Sequence, residues 1–479
     1  MVVPLSSLKW RDVDSEHLKD LSHKAAAINP LVTGLGGTFP PFGEVRANHV
    51  VPAITLLLNE ARADLWKLED EVQKPGFRPD AQTLLRPHSR LGENLSRAFS
   101  IASHLKSVRD SPELRQAIET VQPDVVQFGT ESSQSKPLYL AFKVLRKDGF
   151  SQLTGPQQRL VDLELQGFEL SGIGLDGKAH EEFNKISQRL TRLSNKFSEN
   201  VLDSTKSWKK LVASREELRG LPEATLRLAA EGAAREKNIS LGNANASQGP
   251  FLLTMDAPCV SAVMTYAEDP ALRKEVFMAS IGRASDIAGP DNSPVLAEIL
   301  TLRQRRAELL GFHDFAELSM QTTMAKKSEA EKFLEELRIL ARPKAVADLA
   351  DLEAFAKENH AGELKPWDLG FWSHKQVETL YGIDAETLRP FFPLGRCLEV
   401  MFHHAGDMFG ISIVPTEAPK WHDDVSVFEI RRNGKKAPTG YLFMDLFTRP
   451  SDKNSGAWQS SITDYDREEG RLPAPALLA

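Results

Sequence analysis

Histidine–carboxylate pairs at helical spacing are the first residues to test for chemistry, because two such side chains on one helical face can share a metal ion. The sequence has three such pairs: His313/Glu317, His374/Glu378 and His403/Asp407. Each would need a third ligand from elsewhere, and pairs of this kind commonly cap or decorate a helix surface. A hydrolytic zinc helix of the His-Glu-x-x-His form asks for more. It needs two imidazoles four residues apart and a glutamate beside the first as general base. None of the 12 histidines has another histidine four residues on, and His180-Glu181 has Asn184 in that position. The adjacent His403 and His404 would point about 100° apart on a helix, which suits two ligands poorly.

Nucleophile signals are equally sparse. There is no Gly-x-Ser-x-Gly elbow, no phosphate-binding loop and no Gly-x-Gly-x-x-Gly after a strand. Gly172 and Gly174 read as the end of a helix. Trp367, Phe371, Trp372 and Tyr381 either line a peptide-binding surface or fill a core, and their spacing favours core. Cys259 and Cys397 read as small buried hydrophobes; two cysteines make no disulfide framework and point to a reducing compartment.

The elements that must position such residues are mostly helices. In 479 residues that are 41% hydrophobic and 26% charged, there is room for two or more domains. Asn48 caps an expected helix whose apolar face is Val50, Ile54, Leu57, Leu58, Ala61, Leu65 and Leu68. Ser111-Pro112-Glu113 starts another, and Pro156 opens a third. From Lys178 to Trp208, steps of three and four imply a helix of about 45 Å. A helix from Ser328 should kink or break at Pro343. Strand character dominates only late, in Ile411 to Val414, Val425 to Arg432 and Gly440 to Phe447, with Asn433-Gly434 as a hairpin signal. The polar stretch Asn238 to Pro250 is the best internal boundary.

The net charge of -7 and the lack of a basic stripe argue against a nucleic-acid surface. No apolar run approaches the roughly 20 residues that span a bilayer, so no membrane partner is expected. Met1 to Ile28 has no apolar signal core and carries Asp12, Asp14, Glu16 and Asp20, which suit a transit peptide poorly. A cytoplasmic chain is expected, with mitochondrion or plastid as the alternative.

Several segments together resemble one family. They include Phe39-Pro40-Pro41-Phe42, His49-Val50-Val51-Pro52-Ala53, Ser103 to Val108 with Ser111 to Arg115, Phe168 to Leu175 and Asn200 to Thr205. Val263 to Tyr266, Arg283 to Asp286, Leu309 to Phe312, Lys365-Pro366-Trp367-Asp368 and Gly440 to Trp458 follow in order. Taken together they are similar to the thimet oligopeptidase/oligopeptidase A zinc metallopeptidases, oligopeptidase A in particular.

The resemblance implies a mainly α, two-lobed architecture with a small antiparallel β-sheet near the C-terminus. It also implies zinc-dependent hydrolysis of short peptides by a monomer. The domains expected are an arm over 1–38, a helical domain over 39–237, the first part of a catalytic domain over 238–458, and a divergent, disordered tail over 459–479. In the family a His-Glu-x-x-His helix follows the stretch that ends at Trp458. Here no residue matches it, so no zinc ligand or catalytic residue is assigned, no zinc is expected to bind, and the 479 residues read as C-terminally truncated and inactive. The alternative is a non-catalytic peptide-binding or regulatory homologue. With the catalytic lobe half built, Leu442, Met444 and Leu446 are expected to lack their cover, and a protease-sensitive region is expected beyond about His360.

Overall fold

The computed structural model describes residues 28–37, 39–237, 247–285, 290–383, 385–449, 452–454, 456–466 and 470–478. The arm up to residue 27 and most of the expected boundary at 238–250 lie outside them. The chain is mainly helical and divides into two compact units. The first takes residues 1–180, 413–453 and 457–479; the second takes 181–412 and 454–456.

In the first unit, α1 (Ala47–Val72) buries Val50, Ile54, Leu57, Leu58, Ala61, Leu65 and Leu68, the face its spacing predicts. Its cap is Arg46 rather than Asn48: the Arg46 N–H donates to His49 Nδ1 at 3.1 Å, which satisfies the start of the helix. Helices α2 (Glu93–Val108) and α3 (Pro112–Ser133) pack on it. Ser111 Oγ caps α3 by accepting from the Leu114 N–H at 3.2 Å. Then come α4 (Lys136–Val144) and α5 (Gly155–Leu170).

The same unit holds a sheet of β3 (Ile411–Pro415), β4 (Ser426–Arg432), β5 (Pro438–Asp445), β6 (Trp458–Thr463) and β7 (Ala474–Leu478), in the order β3-β4-β5-β7-β6. β4 and β5 pair antiparallel, with Phe428 opposite Leu442. β7 pairs antiparallel with β6 but parallel with β5, Phe443 opposite Ala476, so the expected antiparallel sheet carries one parallel contact.

The described part of 459–479 is not a disordered tail, because it builds β6 and β7. Ala474 and Ala476 are fully buried and Leu478 is 2% exposed, an alternation hidden in sequence by small side chains and by Pro475. Gly440 lets this strand dock: the Pro473 carbonyl lies 3.2 Å from where a Cβ would sit and accepts from the Tyr441 N–H at 2.9 Å. Met444 is not left uncovered either. It is 4% exposed, with β4 on one side of its strand and β7 on the other, while Leu442 and Leu446 are half-buried.

The second unit takes most of α6 (Gly177–Ser207), the long helix expected from Lys178 to Trp208. β1 (Lys209–Val212) pairs antiparallel with β2 (Phe251–Thr254) from the far side of the polar stretch, Lys209 opposite Thr254. Helices α7 (Glu223–Glu236), α8 (Ala257–Tyr266) and α9 (Pro270–Ile281) bury Leu226, Val263 and Val276 with Phe251 and Leu253 in one core. The expected boundary at 237/238 therefore falls inside a packed group, and the division lies at 180/181. α10 (Ser293–Leu309) is followed by α11 (Lys327–Glu358), which runs through Pro343 without a break. A proline costs one backbone hydrogen bond there, and the rest of the ladder carries the helix across. α12 (Leu369–Tyr381) and α13 (Leu394–Phe409) complete the unit.

Candidate functional site

The stretch that opens at Gly440 forms β5, and its last strand residue anchors a buried charge network. Asp445 is fully buried. Its Oδ2 accepts from Trp421 Nε1 at 2.7 Å, and Arg449 donates to Oδ1 at 2.7 Å and to Oδ2 at 2.8 Å. Lys453 Nζ lies 3.1 Å from Oδ1 and donates to the carbonyls of Asp445 and Phe447, both at 2.9 Å. Arg449 also reaches the Val108 carbonyl at the end of α2, at 3.2 Å. Burial alone pushes the Asp445 carboxyl up; hydrogen bonds from Arg449 and Trp421, with the charges of Arg449 and Lys453, outweigh it and hold the group at about 2. Burial likewise lowers Lys453 against the pull of Asp445. One anion between two cations, every partner fixed by backbone or ring, makes a rigid turn and not a reactive centre.

Phe42, Trp421 and Phe443 pack around this turn, with the His104 ring 4.3 Å from that of Trp421. Burial lowers His104 to about 4 despite the Asp445 charge, so it is neutral near pH 7. His104 carried no sequence signal of its own. The spacing of Asp445, Arg449 and Lys453 was readable, but not that Trp421 and Val108 would close on them.

The histidines singled out by spacing disperse into structural roles. The His313 N–H donates to Glu317 at 2.9 Å, while its ring lies 3.2 Å from Asp314. His374 packs edge-on against Tyr266 at 4.8 Å, and Glu378 pairs instead with Lys375 at 3.0 Å. His403 and Asp407 are 3.5 Å apart and exposed, and His180 meets Gln134 at 2.6 Å. Zinc of the hydrolytic kind takes at least three converging nitrogen, oxygen or sulfur ligands. Among the described residues no three histidine, cysteine or carboxylate side chains converge in that way. The described donors do not fit the ion, and no chemical step is routed through it.

The four aromatic candidates split. Phe371 is buried beneath Arg273, whose guanidinium lies 4.4 Å from the ring and donates to Asp368 at 2.6 Å. Trp372 packs on Phe371 and Phe355, and Trp367 on Phe277. Tyr381 alone of the four is 68% exposed. Phe371 is buried, Trp367 and Trp372 are half-buried, and Tyr381 lies on the surface.

The Neurolysin/Thimet oligopeptidase N-terminal domain matches residues 54–180, and Peptidase family M3 matches residues 263–479. Probable cytosolic oligopeptidase A of Arabidopsis thaliana is 41% identical over 452 residues, 93% of this chain and 63% of that protein. The chain belongs to peptidase family M3.

Oligopeptidase A of Escherichia coli is 38% identical over 93% of this chain and 64% of its own length. Organellar oligopeptidase A, chloroplastic/mitochondrial, of Arabidopsis thaliana is 40% identical over 93% of this chain and 56% of its own. The chain thus spans less than two thirds of the length of these relatives. A solved structure of PZ peptidase A with an inhibitor aligns with a TM-score of 0.46 at 16% identity, over 91% of this chain and 60% of that one. The family match runs through Ala479, so the expected divergence after Trp458 is overturned by sequence as well as by β6 and β7. Among the described residues no helix is long and apolar enough to cross a membrane.

Proposed function

We propose that the protein is an oligopeptidase A-type component that acts on short peptides, and that these 479 residues by themselves hydrolyse none. The single observation that supports the first half is identity of 41% to an oligopeptidase A, spread over 93% of the chain rather than confined to one segment. The second half rests on the 12 histidines, none of which has another four residues on. A cytosolic setting is favoured: Cys259 and Cys397 are free thiols, and the Arabidopsis relative at 41% identity is named a cytosolic oligopeptidase A.

A quenched fluorescent peptide tests both halves. The 479-residue chain is expected to bind it, read by anisotropy, and to leave it uncut. Absence of binding overturns the first half. Cleavage that is lost on chelation and returns with added zinc overturns the second.

A further inference from the structure

A cavity of ≈ 420 Å³ lies in the first unit, between α2, α3 and α5 and the short turn that carries His88, away from the sheet. Phe99, Phe128 and Phe168 line it with Leu91, Leu95 and Val125, and five serines complete the wall. Among the described residues lining it, Glu164 is the one acidic group and His88 the one basic group. Their charged atoms are 4.0 Å apart, too far for a hydrogen bond. Glu164 accepts no hydrogen bond among the described residues. Burial pulls His88 down to about 4, so it is neutral near pH 7, and the same burial raises the Glu164 carboxyl from its ordinary value, a cost that a bound cation would relieve.

A second observation is independent of charge. Gly129 and Gly167 sit inside α3 and α5, line the cavity, and would place a Cβ where no atom lies within 4 Å. A helix-interior glycine costs about 1 kcal/mol relative to alanine. Here no neighbour demands it, and its effect is to keep the space open. A carboxylate whose nearest charged-type neighbour is a neutral imidazole 4.0 Å away, set beside aromatic rings, is complementary to a cation carried on an apolar group, since ring faces and carboxylate attract the same charge.

We propose that this cavity binds a small organic ammonium ion bearing an aromatic or branched apolar substituent, its nitrogen at Glu164 and its apolar part among Phe99, Phe128 and Phe168. A free amine and the N-terminus of a short peptide share that chemistry. The proposal stands on the cavity alone and is independent of the peptidase reading.

Calorimetric titration of the 479-residue chain with 2-phenylethylammonium and with neutral 2-phenylethanol tests it. The ammonium is expected to bind about tenfold or more tightly than the alcohol, as befits a charge-assisted contact. Glu164→Gln is expected to remove that advantage while leaving alcohol binding and the circular dichroism spectrum unchanged. Gly129→Leu, which fills the space without removing the charge, is expected to abolish binding of both. No ammonium binding, equal binding of the two probes, or unchanged ammonium affinity in Glu164→Gln overturns the proposal. Phenylalanine amide and its N-acetyl form separate the sources. Binding of the free amide but not the acetylated one assigns the site to peptide N-termini, and binding of the simple amine alone assigns it to free amines.

Discussion

At the Asp445 turn, removing one carboxylate strands two cations in a space that water does not reach. Asp445→Asn should therefore lower stability by about 3–5 kcal/mol, the cost of breaking a buried pair from one side. Urea unfolding measures it, and a loss below about 1 kcal/mol would mean that the turn takes up water. The pH dependence follows with a definite sign. Asp445 is depressed from an unfolded value of about 3.9 to about 2. Its contribution is complete above the unfolded value and lost as pH falls through the folded one. His88 and His104 act in a higher window. Both are held at about 4 by burial, below an unfolded value of about 6.5. The unfolded chain then binds more protons between those values, so stability should fall as pH drops from about 6.5 to about 4. His104→Phe should flatten part of that slope in pH-dependent melting curves; an unchanged slope would remove His104 as a cause.

Among the elements, the helices were the most readable, because a 3.6-residue period carries its own register. The buried face of α1 and the Ser111 cap of α3 follow from local spacing alone. α11 is the exception, since Pro343 did not break it. Pro343→Ala restores an N–H in an exposed stretch and should stabilise the helix, by up to about 3 kcal/mol. Hydrogen exchange should show slower exchange on both sides of residue 343; faster exchange there would mean that the proline fixes a bend the packing needs. Strands β6 and β7 were the least readable. Serine, alanine and one proline interrupt their apolar positions, so the contrast is small, and β7 gains its place from β6 on one side and, on the other, from β5, where Phe443 pairs with Ala476 33 residues on.

For the whole molecule, the distribution of exposed apolar side chains is uneven. In α11, Phe333 is 60% and Leu340 76% exposed; beyond it Phe391 reaches 75% and Phe409 69%. Large apolar side chains left exposed in this number mark surface that the fold does not cover. Limited proteolysis should cut first within residues 327–358, ahead of α1 to α5, and the chain should bind a hydrophobic dye when fully folded. First cleavage in α1 to α5, or no dye binding, would contradict this. The sequence by itself determined the family, the helical character and the lack of a His-Glu-x-x-His helix in these residues, because identity and periodicity are local properties. Only the tertiary structure decided that Trp421, Val427, Phe443, Ala476 and Leu478 share one core with Phe42 and Leu105. It also decided that the division falls at 180/181 rather than 237/238. Burying apolar area joins whichever faces fit, however far apart in the chain, and no spacing rule records which faces those will be.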